Sequence, residues 1–326
     1  MTSRNHQAGA ALLTALLIVT LIASLAAGMV WQQYRAVQIE AAERARAQSG
    51  WILQGALDWA RLILKEDLRS DQSRPPVKDH LGEPWAVPLA EARLSTFLAA
   101  DSGNASNEGP EAFLSGVIED AQSRYNLRAI AVGTQVSPQE KLTLELLCRQ
   151  VDAPPGTSTL IIDGLRAAFP AAASGASAPA SGPAAGDSGP LQPAGLDQLR
   201  WLGLDAATLK RLEPYVVLLP RPTPVNLNTA PREVIAALLN TDLATAERIV
   251  QGRKGRPLQT IADAAAFLTS GTQIPAGRAS VDSSFFIVTG RLRLDERQLE
   301  QRSLIERQGN ATTVLARERV SQLLDR

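Results

Sequence analysis

Apolar side chains follow three different rhythms along this chain. From Ala10 to Trp31 they are almost continuous, AALLTALLIVTLIASLAAGMVW, long enough to cross a bilayer as a helix at about 1.5 Å per residue. After Trp31 the good helix formers Ala, Gln, Glu and Arg take over, and no proline occurs before Pro75, so the helix is expected to continue. Ile52, Ala56, Trp59 and Ile63 then recur at i, i+4, i+7 and i+11, and Leu53, Leu57, Ala60, Leu64 and Leu68 widen that face. Gln54, Asp58, Arg61 and Lys65 line the opposite side. This pattern predicts an amphipathic helix laid against a core, with Trp51 and Trp59 packed into it and Gly50 and Gly55 as points where it can bend.

Further on, the prolines of PPVKDHLGEPWAVP indicate an extended connector from Pro75 to Pro88. Phe113–Ile118 reads as a short strand, and Ser137–Val151 as a helix carrying Leu142, Leu144, Leu146 and Leu147. Ala171–Pro193 is almost entirely Ala, Ser, Gly and Pro, which reads as a flexible linker. A helical pattern resumes in Gly195–Leu219 around Leu199, Leu202, Leu209 and Leu212. In TPVNLNTAPREVIAALL, Thr229 is the expected N-cap, with Pro231 in the first turn. LATAERIVQGR and TIADAAAFL supply two more helices. The rhythm changes to period two in Phe285–Leu294, and Gln308-Gly309-Asn310 is a hairpin turn between Ser303–Arg307 and Thr312–Arg319. Strands on both sides of a helical block point to one α/β domain with a helical domain inserted.

The length of 326 residues suggests about two domains. With 45% apolar residues the chain is not a polytopic membrane protein, and 33 basic against 33 acidic residues give no strongly basic binding surface. One cysteine, Cys148, forms no internal disulfide, and two histidines, His6 and His80, argue against a Ser-His-Asp triad or a His-rich metal site. Phosphate-loop, nucleophile-elbow and zinc-protease signatures are absent, so no catalytic residue is expected.

Four readings compete for the N-terminus. A buried helix conflicts with an all-round apolar segment, and a cleaved signal peptide is compatible with Ala27-Gly28, although the apolar run is long for one. The others are a signal anchor and a prepilin-type leader, in which the polar stretch MTSRNHQAG ends at Gly9 and Ala10 becomes the new N-terminus. A Gly before an apolar run does not decide among them. Arg4 before the span and Arg35, Arg44 and Arg46 after it leave orientation ambiguous.

Five segments in order resemble the type II secretion system protein K family, also called general secretion pathway protein K, the large minor pseudopilins. They are AGAALLTALLIV, QSGWILQGALDWA, IEDAQSRYNL (Ile118–Leu127), VNLNTAPREVIAALL (Val225–Leu239) and SSFFIVTGRLRL. The resemblance implies an α+β fold: a pilin-like long N-terminal helix packed on a small antiparallel sheet, with a large inserted all-helical (SAM-like/helix-hairpin-helix-like) domain. It implies a leader at 1–9, a transmembrane segment at 10–31, helix and first sheet part at 32–132, the insertion at 133–280 and the last strands at 281–326. It also implies cleavage between Gly9 and Ala10, methylation of the new amine, and single-pass inner-membrane anchoring with the bulk periplasmic. Implied partners are minor pseudopilins I and J, the prepilin peptidase and the inner-membrane assembly platform. The fifth mature residue, usually Glu in pilin-like proteins, is Thr14 here, as similarly uncharged in the K family. This fits a subunit at the tip of the periplasmic pseudopilus that helps initiate its assembly and the export of folded proteins. Some family members bind calcium, which needs six to eight oxygen ligands. The family's acidic D-x-D-x-E-P loop is not matched here: Asp163 remains, and acidic residues then disappear, so no metal ligand carries over.

The rival reading is a membrane-anchored DNA-binding protein. Val225–Pro257 resembles a helix-hairpin-helix repeat, but its hairpin, Asn240-Thr241-Asp242, has no glycine and adds a carboxylate. Arg248, Arg253, Lys254 and Arg256 read as a solvated helix end, so nucleic acid is not an expected partner. A generic membrane-anchored periplasmic scaffold is a third reading, which explains the architecture but not the motifs.

Overall fold

The computed structural model of the protein describes residues 7–94, 112–170, 191–268, 274, 277–294, 297–309 and 311–323. Most of the Ala/Ser/Gly/Pro segment, residues 171–190, lies outside them. The chain divides into two compact units, Met1–Gly55 and Ala56–Arg326.

The first unit is helical throughout its described residues and belongs to α1 (Gln7–Gln72), which neither Gly50 nor Gly55 interrupts. Among the described residues α1 is the one helix long and apolar enough to cross a membrane. The hydroxyls inside its apolar run are satisfied within the helix: Thr14, Thr20 and Ser24 donate to the carbonyls of Ala11, Leu17 and Leu21 at 2.9, 2.9 and 2.8 Å. Such internal partners are what a lipid environment requires of polar groups.

In the second unit, the last turns of α1 meet a five-stranded antiparallel sheet in the order β1-β2-β7-β8-β9. These strands are β1 (Leu89–Arg93), β2 (Ala112–Asp120), β7 (Phe285–Leu294), β8 (Arg297–Gln308) and β9 (Ala311–Leu323). β7 is the central strand, and its period of two sends Phe286 and Val288 to one face and Phe285 and Ile287 to the other. On the first face Leu57, Ala60 and Leu64 of α1 pack with Trp85, Phe286 and Ile305, and the Trp85 and Phe286 rings meet edge-on at 5.3 Å. On the second face Phe285 and Ile287 pack with Ala121, Val217 and Leu219. The β8–β9 hairpin turns at Gly309, whose φ of 54° explains the glycine. Both strands of the hairpin run beyond the segments that signal them in the sequence, β8 from Arg297 to Gln308 and β9 from Ala311 to Leu323.

The buried row of α1 is the leucine-rich part of the expected apolar face, and the tryptophans expected in the core are not in it. Leu57, Ala60, Leu64 and Leu68 are buried, whereas Trp59 is 50% exposed and, in the first unit, Trp51 is 76% exposed. The two stripes differ by one residue, a rotation of about 100° about the helix axis. Both are apolar, so periodicity could not choose between them. In the second unit the leucine row packs beside Trp85 and the sheet, and the Trp59 indole stays outside.

Between β2 and β7 the chain makes a long excursion. It contains β3 (Tyr125–Asn126), α2 (Pro138–Gln150), α3 (Thr157–Ala168), a 3-10 turn at Leu196–Leu202 and α4 (Ala206–Leu212). It continues with β4 (Val216–Val217), β5 (Val225–Asn226), α5 (Arg232–Leu239), α6 (Leu243–Gly255), α7 (Ile261–Ala265) and β6 (Ala279–Ser280). Leu144, Leu147, Ile161, Leu165, Val234 and Ile249, all fully buried, belong to a core of its own. Two-residue parallel ladders, β3 with β4 and β5 with β6, add a strand component to this mainly helical part.

Replacing Leu64 by Ala is expected to destabilise the protein by about 2–5 kcal/mol, because it opens a cavity under Trp85. Trp59→Ala should stay within about 0.5 kcal/mol. Denaturant unfolding of the detergent-solubilised chain, followed by circular dichroism, measures both; equal losses would contradict the assigned helix face.

Candidate functional site

The residues singled out at the N-terminus lie in the first unit. Gly9 and Ala10 fall within the backbone of α1, and residues 1–6 lie outside the described part. Thr14 is exposed on the apolar surface of α1, with its hydroxyl turned to the carbonyl three residues back.

In the second unit, the polar side chains gather where the excursion leaves and re-enters the sheet. Asp120 is the last residue of β2 and is fully buried. Its Oδ1 accepts from the Gln122 amide at 2.7 Å, which starts the 3-10 turn Ala121–Ser123. Its Oδ2 accepts from Asn226 Nδ2 at 3.0 Å, Thr229 Oγ1 at 2.6 Å and Ser283 Oγ at 2.6 Å. Burial pushes the Asp120 carboxyl above its ordinary range, and the donors from Ser283, Thr229, Gln122 and Asn226 pull it back. Asn226 Nδ2 also reaches the Asp79 carbonyl at 3.0 Å, and its Oδ1 accepts from the Asn228 amide. Asn228 in turn makes a two-way bond with the backbone of Leu258, at 2.9 and 3.0 Å. Gln122 donates to Pro224 O and accepts from Ser284 N, clamping the exit strand to the return strand. These asparagines and glutamines stand in for missing backbone partners where the chain changes direction.

Thr229 is therefore not the N-cap of α5. That position belongs to Pro231, and the Thr229 hydroxyl is spent on Asp120, 109 residues away. Helix α5 begins at Arg232, and the amides of Val234 and Ile235 donate to the Pro231 carbonyl, so its N-cap lies two residues beyond Thr229.

Beside Asp120 lies an arginine centre. Arg307 of β8 donates to Asp79 Oδ1 and Oδ2 at 2.5 and 2.7 Å, to Asp67 Oδ2 at 3.1 Å, and to the carbonyls of Ser283 and Leu64. Its guanidinium stacks 4.7 Å from the Phe286 ring centre. Asp79 also accepts from the Ser283 amide at 2.7 Å, joining the two networks. Glu83 accepts from Trp85 Nε1 at 2.7 Å and from the His80 amide at 2.9 Å. Burial raises the carboxyls of Asp67, Asp79 and Glu83 each to about 7. Asp67, Asp79 and Glu83 have ligand oxygens within 4.8 Å of one another, the one such group of three among the described residues. They do not fit calcium: Arg307 already occupies two of the three carboxylates, and a divalent ion needs six to eight oxygens with no cation among them.

A third network closes the excursion on itself. Arg278 grips Glu140 at 2.6 and 3.1 Å, and Glu140 also accepts from Tyr125 Oη at 2.6 Å.

The α5–α6 pair does not present a phosphate site. Asn240 ends α5 in the left-handed region at φ 48°, and Asp242 caps α6 by accepting from Thr245 N at 2.8 Å. The Thr245 amide and hydroxyl hold the Asp242 carboxyl below its ordinary range, so the hairpin keeps a negative charge. Arg253, expected at a solvated helix end, is buried, donates to the Leu227 carbonyl, and is lowered by burial to about 10. Arg248 is turned to Thr245 and the Phe267 carbonyl. Nothing here supports DNA binding.

Three of the five segments with family resemblance, IEDAQSRYNL, VNLNTAPREVIAALL and SSFFIVTGRLRL, thus meet in one place, yet the sequence did not reveal Asp120, Asn226, Ser283, Asp79 or Arg307 as partners. The available signal was polar residues, in IEDAQSRYNL, VNLNTAP and SSFF, set directly beside apolar ones with no turn to expose them.

A family model described as Type II secretion system (T2SS), protein K matches residues 225–282, from β5 to the residue before Ser283. Type II secretion system protein K of Klebsiella pneumoniae is 30% identical, over 96% of this chain and 97% of its own length. The protein of the same name from Pseudomonas aeruginosa is 29% identical, over 93% and 90%. A chain in the crystal structure of the GspK-GspI-GspJ complex from enterotoxigenic Escherichia coli superposes with a TM-score of 0.63 at 21% identity, covering 86% of this chain and 98% of that one. That likeness shows the shared fold.

Thr229→Val, which takes one donor from the buried Asp120 carboxylate, is expected to cost about 1–3 kcal/mol, and Thr229→Ser clearly less. Chemical denaturation of both variants is the check; equal losses would mean that the methyl group, not the hydroxyl, matters.

Proposed function

This chain belongs to the type II secretion system protein K family, and from that premise we propose that it sits at the tip of the periplasmic pseudopilus. It is a minor pseudopilin, a structural component of the secretion machinery. In this reading the leader 1–9 is removed between Gly9 and Ala10 by the prepilin peptidase, and the new amine is methylated. Residues 10–31 stay in the inner membrane, and the bulk of the chain is periplasmic. The pseudopilin part comprises 32–132 and 281–326, with 133–280 as the inserted domain. Pseudopilins I and J are its partners, as in the complex named for the Escherichia coli protein, and the inner-membrane platform assembles it with them.

The observation that carries the tip placement is Thr14. A carboxylate in the bilayer core costs about 2.5 kcal/mol or more unless paired. A tip subunit has no subunit above it to offer an amine. Thr14 brings no charge, and its hydroxyl bonds to Ala11 within its own helix. The excursion between β2 and β7 supports the same placement, because its bulk is hard to stack along a shaft.

Two measurements test this reading. The intact mass of membrane-extracted protein should correspond to a chain beginning at Ala10, and Gly9→Val should leave the full chain uncut; a start near Ala27 or Gly28 would instead identify an ordinary signal peptidase. The part from about Trp31 onward should co-purify with pseudopilins I and J, and overproduction should give no long filaments of this chain alone. Regular homopolymers seen by electron microscopy would remove the tip assignment.

A further inference from the structure

We propose that Asp67, Asp79 and Glu83, gathered around Arg307, form a proton-sensitive latch between the end of α1, the connector that follows it and the sheet. The geometry sets the charge balance. The three carboxyl groups have oxygens within 4.8 Å of one another, and Asp67 and Asp79 share one guanidinium. The side chains of Asp79 and Arg307 are 1% and 2% exposed, so water cannot screen them. With all three carboxyls ionised the centre carries two surplus negative charges in a poorly screened place, and protons are the simplest compensation.

The other groups facing the centre do not relieve it. From α1, Asp71 adds a carboxylate that accepts from the Lys78 amide. From the connector, His80 Nε2 lies 3.5 Å from Glu83 Oε1, and burial and then Lys78 hold His80 down toward the neutral form. From β2, Asp120 adds a further carboxyl that raises Asp79. Burial accordingly lifts Asp67, Asp79 and Glu83 to about 7, with Arg307 pulling Asp67 and Asp79 only partly back.

The direction follows from linkage. Each carboxyl binds its proton more tightly in the folded chain than in the unfolded one. The stabilisation is complete below about pH 4, declines as pH rises, and is gone above about pH 7. Because Asp79 and Arg307 share Ser283 with Asp120, loosening the latch also loosens the return of the excursion into β7. Carboxylates that favour ionisation, such as the helix cap Asp242, act oppositely only at lower pH. The latch is therefore readable between about pH 5.5 and 8.

Hydrogen exchange of the full chain in detergent, read by mass spectrometry at pH 5.5 and pH 8.0 and corrected for intrinsic rates, tests it. Peptides covering residues 58–83 are expected to open at least about thirtyfold more readily at pH 8.0, the effect of one proton lost between pH 5.5 and about 7. Asp67→Asn combined with Glu83→Gln should abolish most of that difference while keeping the protection of β7. Equal protection of the wild type at both pH values overturns the latch, and so does a pH difference undiminished in the double variant. If the double variant does not fold, Asp67→Asn alone must reduce the difference, and an undiminished one again overturns the proposal.

Discussion

A carboxylate sealed from water must be given donors, and at Asp120 every donor comes from a neutral group. Gln122, Asn226, Thr229 and Ser283 supply them from three passes of the chain, and none can be withdrawn without leaving charge unsatisfied in a dry place. This requirement makes the departure of the excursion, its middle and its return converge on the end of β2. A hydrophobic contact there would tolerate sliding; a carboxylate with directed hydrogen bonds does not. The helical core around Val234 and Ile235 is thereby held in fixed register to the sheet within the second unit.

Arg307 extends the same logic to α1. Its two terminal nitrogens reach one helix carbonyl, two carboxyls and the carbonyl of Ser283, while its plane lies on Phe286. One side chain of β8 thus ties helix, connector and return strand. Polar and apolar fastening coincide here: the leucine row of α1 supplies area, and Arg307 supplies direction.

The fold was largely legible in the sequence, because long periodic segments report themselves. The apolar run, the continuation of its helix and the period-two stretch at Phe285–Leu294 stand in the structure, and of the turn before Ala311 Gln308 and Gly309 are described while Asn310 lies outside the described residues. Less legible was which of two apolar stripes faces inward, since Trp59 and Leu57 satisfy the same periodicity and differ only in how they fit Trp85. Thr229 and Arg253 were misread for a related reason. Each has a local role that sequence favours, a cap and a solvated helix end; helix α5 instead has its N-cap at Pro231 and the Thr229 hydroxyl donates to Asp120, while Arg253 is buried on the Leu227 carbonyl. Contacts spanning a hundred residues leave no period in a single sequence. The polar junction could be suspected from its composition but not paired.

The insertion point has a consequence for how such a chain can arise and be reshaped. β2 and β7 are direct antiparallel neighbours, with Asp120 opposite Phe286. The two ends of the excursion are therefore separated by one strand spacing, about 5 Å, the distance a short hairpin spans. To the sheet, a tight turn and an entire domain are topologically equivalent. A lineage can acquire, enlarge or discard the domain as a cassette without rethreading a strand, and the length of Ala, Ser, Gly and Pro inside it can drift freely. What cannot drift is the socket: whatever cassette is fitted must return donors to the carboxylate at its mouth.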